Sequence, residues 1–500
     1  MASVSSTKKI ANKGLIKTLE IKASCSYQTE DGRFIDKILD GIANCTIETS
    51  EKVGDFLQFA GKVVLTSVFV DNEKQLGSER VEANFTEKVQ IGDVDATAII
   101  PTITAVKQRR ETSSFVDCTI SVLVEIFGVM QETIAYVEAG TPNWVEKAKE
   151  VEAESLLCFN NSLFTLTEEV ESSDHIDRII ANYSTLVVNK VVPNGNYVVV
   201  EGEINRDILY HSDGTLRKLQ KRNDFAQEVA LLNCTEETIV SAKLHLACES
   251  VSLDVSDDGA KSILTFNTNI SASIWGFEKS KFNVLEDVYS TEKDLEVKHS
   301  TFTNISHLPV IIASESLSET IDMSDKKRID EIISIGSNVL TLESTNVDGG
   351  NLGIAGVINQ KVIAKNYDND DIFSTELEIP FSIQLRTSIE DINANFAPVV
   401  VARCVNARNK AGKELNLTYE IGVMSDIAQS NIESYISECT ETADKTHSNH
   451  SIVIYMPEKN EKVFDIAKKL NVTPEVMLAQ NPGISDNEPI DKIVLFKCMK

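Results

Sequence analysis

The sequence predicts a mainly β protein of three tandem β-sandwich-like repeats followed by one small βααβ domain. Three observations carry that expectation. A short phrase occurs three times, as Ile35-Asp36-Lys37-Ile38-Leu39, Ile176-Asp177-Arg178-Ile179-Ile180 and Ile329-Asp330-Glu331-Ile332-Ile333, with its aspartates 141 and 153 residues apart. A glycine follows each aspartate at nearly constant distance, Gly61, Gly202 and Gly356 lying 25, 25 and 26 residues on. Each glycine opens a strand-like run such as Gly61-Lys62-Val63-Val64-Leu65. Short β-branched and aromatic runs recur every ~8–12 residues with turn residues between them, the pattern of a sandwich or small barrel. Self-similarity at a fixed period marks a duplicated structural unit.

The chain's 500 residues suit three or four domains, at about 100–200 residues each. Its 42% hydrophobic and 25% charged residues are those of a globular chain able to bury several cores. The formal charge of −28 would be repelled by nucleic acid or anionic membrane. A solvated acidic surface accounts for it, with a basic partner surface as the alternative. No apolar run reaches the ~18 residues of a membrane span. The stretch Met1-Ala2-Ser3-Val4-Ser5-Ser6-Thr7-Lys8-Lys9 has charge with no apolar segment behind it, so no secretory signal is expected. Nine cysteines, an odd number without any Cys-x-x-Cys, suit free thiols in a reducing compartment. The expectation is a cytoplasmic protein, in which triplets such as Asn84-Phe85-Thr86 carry no glycan.

In chain order, residues 1–15 are polar and Ser/Lys-rich and are expected to be flexible. The repeats are assigned to 16–138, 160–286 and 313–428. In each isoleucine phrase the apolar residues fall at i, i+3 and i+4, which predicts a short helix with one buried stripe. The second copy shows the repeat core best. Leu186-Val187-Val188 and Val191-Val192 lead through Pro193-Asn194-Gly195 to Tyr197-Val198-Val199-Val200, a hairpin, and the strand runs on from Ile204 to Tyr210. Asp213-Gly214 marks the next turn and Phe225–Leu231 the next strand, matched by Phe85–Ile91 and Phe381–Leu385. Each repeat closes on a strand carrying a glycine, Gly128, Gly276 or Gly422. Thr141-Pro142 opens a charged segment of good helix formers, so 139–159 is expected to be a helical linker. Residues 429–449 have few apolar side chains and read as a polar tether.

Residues 450–500 carry the most specific pattern. Ile452-Val453-Ile454-Tyr455 predicts a strand, and Val463–Leu470 an amphipathic helix. Thr473-Pro474-Glu475 supplies a cap, a first-position proline and a first-turn acid for a second helix. Asn481-Pro482-Gly483 ends that helix, and Ile493-Val494-Leu495 predicts a closing strand.

This stretch resembles the LysM domain family, through Phe464-Asp465-Ile466-Ala467-Lys468-Lys469-Leu470-Asn471-Val472-Thr473-Pro474 followed by Asn481-Pro482. LysM domains commonly bind N-acetylglucosamine polymers through the two loops that flank the helices. Here Asn460-Glu461-Lys462 stands where the family usually has Gly-Asp-Thr, and Asp491 where it has glycine. The upstream repeats, with the Ile-Asp-x-Ile phrase and a glycine-led strand ending in tyrosine, resemble the SPOCS domains of spore-forming bacteria. Three such domains and one LysM domain resemble a family of clostridial spore-coat morphogenetic adaptors. That resemblance implies a scaffold in the mother-cell cytosol whose LysM domain docks the stage IV coat ATPase at the forespore surface. Peptidoglycan binding is the alternative. The implied partner-binding residues are Val463 and Phe464 at the start of the first helix, with Asn460, Glu461, Lys462, Asn481 and Pro482 in the loops. Phe464 reads as plain core or as an aromatic partner contact, since a domain of about 50 residues has little core to spare.

No enzyme is expected. The sequence has no Gly-x-x-x-x-Gly-Lys loop, Gly-x-Ser-x-Gly elbow or His-Glu-x-x-His helix. Gly349-Gly350-Asn351-Leu352-Gly353-Ile354-Ala355-Gly356 lacks dinucleotide-loop spacing and reads as a hairpin turn. No Cys or carboxylate cluster completes the His447-x-x-His450 pair, so neither metal nor cofactor is expected. Trp144 and Trp275 read as core or inter-domain anchors, with exposed contacts as the alternative.

Overall fold

In the computed structural model the described residues are 4–29, 33–255, 261–348, 350–386, 394–410, 412–445, 452–486, 490 and 492–496. Gly349, His447, His450, Asp491 and Cys498 lie outside them. The protein is mainly β and is built from repeated small sheets. The first repeat contains β1 (Val4–Gln28), β2 (Ile35–Val53), β3 (Phe56–Asp71), β4 (Leu76–Gln90), β5 (Asp95–Arg110) and β6 (Phe115–Ala139). The second contains β7 (Trp144–Ser172), β8 (Arg178–Asn194), β9 (Tyr197–Ser212), β10 (Thr215–Ala230), β11 (Ile239–Val255) and β12 (Ser262–Ser290). The third contains β13 (Lys293–Asp322), β14 (Ile329–Asp348), β15 (Asn351–Asn366), β16 (Ile372–Arg386), β17 (Ala394–Lys410) and β18 (Glu414–Asp444). In every repeat the second, third and fourth strands form one antiparallel sheet, and the first, sixth and fifth form another.

The repeated glycines explain the shared geometry. Gly61, Gly202 and Gly356 all lie on the third strand, directly opposite Phe85, Phe225 and Phe381 on the fourth. On the other side, the second strand carries a β-bulge beside the glycine, at Ile47/Thr49, Val188/Lys190 and Leu342/Ser344. The bulge pushes a carbonyl toward the glycine, and the phenylalanine ring lies across it. A Cβ on Gly61 would sit 2.9 Å from the Thr46 oxygen, and one on Gly202 2.6 Å from the Val187 oxygen. At Gly356 it would come closer still to the Thr341 oxygen. Only glycine fits there.

Within each repeat the two sheets bury a common core. In the first, Ile21, Cys45, Phe59, Val89, Ile99 and Val122 come one from each strand. The strands alternate cleanly along this portion, as the β15 burial shows.

Four expectations about chain organisation are corrected. Residues 1–15 are not flexible from Val4 onward, because they pair with β6 as the start of β1. The helical linker over 139–159 is instead strand β7 from Trp144. The polar tether at 429–449 is strand β18 as far as Asp444. The isoleucine phrases are not helices but the entry of each second strand, and register shifts interrupt the pairing there. Such a bulge turns a strand face over. Ile35 therefore points into its own repeat, while Leu39 points out of it and joins Ile180 and Ile333 in a cluster shared by all three repeats.

The repeats are also not separate domains. The first and sixth strands run past their sandwiches as paired ribbons, with bulges at Leu15/Lys17, Gly276/Phe277 and Leu308/Ile311 at the change of surroundings. Beyond the bulges the ribbons pack on each other as a three-ribbon stem. One stem layer unites Ile10, Ile134 and Tyr136 with Val151 and Val284 and with Phe302 and Tyr435. The next unites Val137, Trp144, Leu285, Val288, Ile436 and Cys439. Trp144 and Trp275 both anchor these junctions, Trp275 donating to the Ala96 carbonyl at 2.8 Å and Trp144 to the Glu441 carboxylate at 2.9 Å.

Two polar knots sit among these shared cores. The buried Asp40 carboxylate accepts from the Ser337 amide at 2.7 Å and the Tyr183 hydroxyl at 3.1 Å, with Lys361 at 3.7 Å, so it joins all three repeats. The buried Asp426 carboxylate pairs with Lys13 at 2.8 Å and Lys243 at 3.4 Å, again one residue from each repeat.

After β18 come β19 (Ile452–Tyr455), α1 (Val463–Leu470), α2 (Pro474–Gln480) and β20 (Ile493–Phe496), the expected βααβ order. Among the described residues no helix is long and apolar enough to cross a membrane.

Candidate partner-binding surface

The βααβ unit is built around Ile466, Ala467, Leu470, Met477, Ile493 and Leu495. Thr473 caps α2 by accepting from the Val476 amide, with Pro474 in the first turn, where a missing N–H costs nothing. Asp486 caps α1 by accepting from the Val463 amide at 2.6 Å. Asn471 ends α1 in the left-handed conformation at φ 53°, one of the few non-glycine residues to tolerate it.

The unit is seated on the stem end of the second repeat. Phe464 and Tyr289 of β12 meet edge to face with centroids 5.2 Å apart. The Tyr289 hydroxyl donates to the Val472 carbonyl at 2.7 Å. Burial, then Glu475 and Asp287, push the Tyr289 phenol well above its usual pKa. Lys468 reaches both Asp287 oxygens at 2.6 and 2.7 Å, and the Asn471 amide donates to the Thr291 carbonyl at 3.0 Å.

The seven sequence-derived candidates therefore divide. Val463 is buried core. Phe464 is half-buried, turned onto Tyr289 as well as into the unit. Glu461 accepts from the Tyr455 hydroxyl and from the Glu458 amide at 2.9 Å, and pairs with Lys469 at 2.6 Å. Burial raises its pKa, but Lys469 and those donors outweigh it and hold the carboxyl below its usual range. Lys462 donates to the Asp486 carbonyl at 2.7 Å. Asn481 ties α2 to β20, donating to Met477 and Val494 carbonyls and accepting from the Val494 amide, each at 2.9 Å. Of the seven, Asn460 and Pro482 stand exposed, without such ties among the described residues. Asn460 holds a left-handed φ of 67° at the loop tip.

The sequence reading missed the most open apolar feature of the unit. Ile452, Ile454 and Met456 are 57, 60 and 69% exposed, while Val453 and Tyr455 between them face the core. Among the described residues β19 pairs with β20 alone, so its other edge is unpaired. The signal was in Ile452-Val453-Ile454-Tyr455-Met456, a run apolar on both faces in a sheet with a core on one side. Nothing local in the sequence announces Tyr289 as the seat, since that contact spans the chain.

Comparison with protein-family models, curated proteins and solved structures returns no match for this chain.

Proposed function

We propose that the chain is a non-enzymatic adaptor of spore-coat morphogenesis, of the SipL-like clostridial kind. In this reading the three repeats are SPOCS domains forming a rigid scaffold on the mother-cell side of the forespore surface. The βααβ unit is a LysM domain that docks the stage IV coat ATPase. The observation that carries the reading is three copies of one six-strand topology followed by one small unit whose β19 face is apolar and open. An exposed apolar patch with an unpaired strand edge is suited to a protein partner. Pull-downs from sporulating cells test it, with the full chain, a chain lacking residues 448–500, and a full chain carrying Ile454→Glu. Recovery of the ATPase by the full chain alone supports the proposal, and equal recovery by all three overturns it. Retention of the full chain on purified peptidoglycan would instead favour the glycan-binding reading.

A further inference from the structure

Two cysteines of the first repeat face each other across one ladder. Cys25 on β1 is the register partner of Cys118 on β6, and the pairing around them runs without a shift from Lys17 and Ile126 to Gln28 and Phe115. Directly opposed residues of an antiparallel pair stand about 4.5–5.5 Å apart at Cα, inside the ~4.4–6.8 Å that a disulfide spans. Opposed side chains share a face, and the two thiols are hydrogen-bonded to each other. Among the described residues no other two cysteines are register partners; Cys45 faces Val63, Cys158 faces Gly276 and Cys404 faces Tyr419.

The two sulfurs are not equivalent. Cys25 is half-buried on the edge strand of its sheet, whereas Cys118 on the central strand is 2% exposed. The hydrogen bond with Cys118 lowers the Cys25 thiol pKa against the effect of burial. The same bond, and then burial, raise Cys118. A half-open thiol with thiolate character is the one a small oxidant meets first, and a thiol beside it resolves the product. Cys45, in the same core, is a contrast, since burial pushes it up to about 12 and keeps it inert.

We propose that Cys25 and Cys118 form a peroxide-responsive modification site, closed by oxidation to a disulfide that pins β1 to β6. The proposal is independent of the adaptor reading. The Cys25 thiolate attacks one peroxide oxygen, the O–O bond breaks, and the departing hydroxide takes up the Cys25 proton as water. Cys25 is then a sulfenic acid. The Cys118 sulfur attacks the Cys25 sulfur, the S–O bond breaks, and hydroxide leaves with the Cys118 proton as a second water. Two thiols give up two electrons, and one peroxide is reduced to two waters.

Position gives the bond its effect. Among the described residues β6 is the one ladder partner of β1, which runs on past the Leu15/Lys17 bulge to place Ile10 in the stem. A strand held along one edge opens more readily than a central one. Cys25 and Cys118 lie 93 residues apart, so their bond closes a long loop around β2 to β5 and restricts the unfolded chain.

The test treats the reduced full chain with hydrogen peroxide and maps its peptides without reduction. A linked Cys25–Cys118 peptide, lighter by two hydrogens and split by dithiothreitol, is expected. The melting temperature is expected to rise by a few degrees and to return with the same reductant. Cys118→Ala is expected to stop at the sulfenic acid, which dimedone captures at Cys25, and Cys25→Ala to give no link. Free, alkylatable thiols at both positions after peroxide overturn the proposal, and so does a link from either to Cys45. Both readings come from the unaltered chain and need no variant to fold. A link that leaves the melting temperature unchanged overturns the pinning of β1.

Discussion

Phe464 meets Tyr289 edge to face across the junction between the βααβ unit and the second repeat, centroids 5.2 Å apart. The sequence left Phe464 open between core and partner contact, and the structure places it in a third position, an intramolecular contact. Because the ring is only half-buried, Phe464→Ala is expected to cost about 1–2 kcal/mol, short of the ~3–5 kcal/mol of a fully buried phenylalanine. Tyr289→Ala is expected to leave the helices of the unit folded, since the other buried members of that cluster come from the unit itself, while amide exchange in α1 rises. Hydrogen exchange on the two variants measures both. Melting of the whole unit in Tyr289→Ala would mean that it has no independent core.

Gly61, Gly202 and Gly356 occupy one site repeated three times, so one substitution is expected to give one result three times. Alanine at any of them drives Cβ against a backbone oxygen and a phenylalanine ring. Backbone in a paired strand cannot yield as a flexible side chain does, so each change is expected to cost about 1–3 kcal/mol. Urea unfolding of the three variants measures it. A neutral result at one position would show that its bulge is not equivalent to the others.

The repeat was legible because its markers are local: a glycine facing a phenylalanine, and turn glycines such as Gly195 and Gly214 with φ of 61° and 73°. The isoleucine phrase misled because a bulged strand reproduces helical spacing, sending Ile35 and Leu39 to opposite sides without a helical turn. The stem was illegible for a different reason. Its ribbons carry charges that pair from strand to strand, Lys149 with Glu433 and Lys281 with Glu150, both at 2.7 Å. Read along the chain, such residues look like a helix or a tether. Their apolar partners, Trp144, Leu285 and Ile436, lie far apart in sequence. At the candidate surface the sequence located the unit and its helices. It could not show that Glu461 and Asn481 spend their polar groups internally.

Asp426 is expected to be among the most sensitive charged positions. Its burial disfavours the carboxylate, but Lys13 and Lys243 outweigh that and hold its pKa well below the usual value. Lys13 is itself lowered, first by burial, against the pull of Asp426. The depressed carboxyl supports the fold above its unfolded pKa of about 3.9, and that support is lost as pH falls toward the folded value. Asp426→Ala removes the carboxylate that both buried ammonium groups pair with and is expected to cost about 3–5 kcal/mol at neutral pH. Replacing all three with Met, Met and Leu is expected to restore stability, since the desolvation cost goes with the charges. Denaturant titrations between pH 3 and 7 measure both, and a triple variant as weak as Asp426→Ala would show that the knot holds the repeats by more than charge balance.

The open face of β19 separates a binding role from a folding role. Ile454 is 60% exposed, and its neighbours Val453 and Tyr455 rather than Ile454 pack in the unit. An exposed side chain outside any cap, turn or ion pair changes stability by no more than about 0.5 kcal/mol when replaced. Ile454→Glu is therefore expected to leave the melting temperature and the helical signals of the unit as they are. The same change puts a charge into an apolar patch that a partner would bury. Desolvating an unpaired carboxylate there is expected to weaken partner capture at least tenfold, which is about 1.4 kcal/mol. Asn460→Ala and Pro482→Ala, on the loops that a glycan would use, are expected to leave capture of the protein partner intact. Binding measured with purified partner decides between the surfaces. Loss with the loop variants and survival of Ile454→Glu would move the contact from the strand face to the loops.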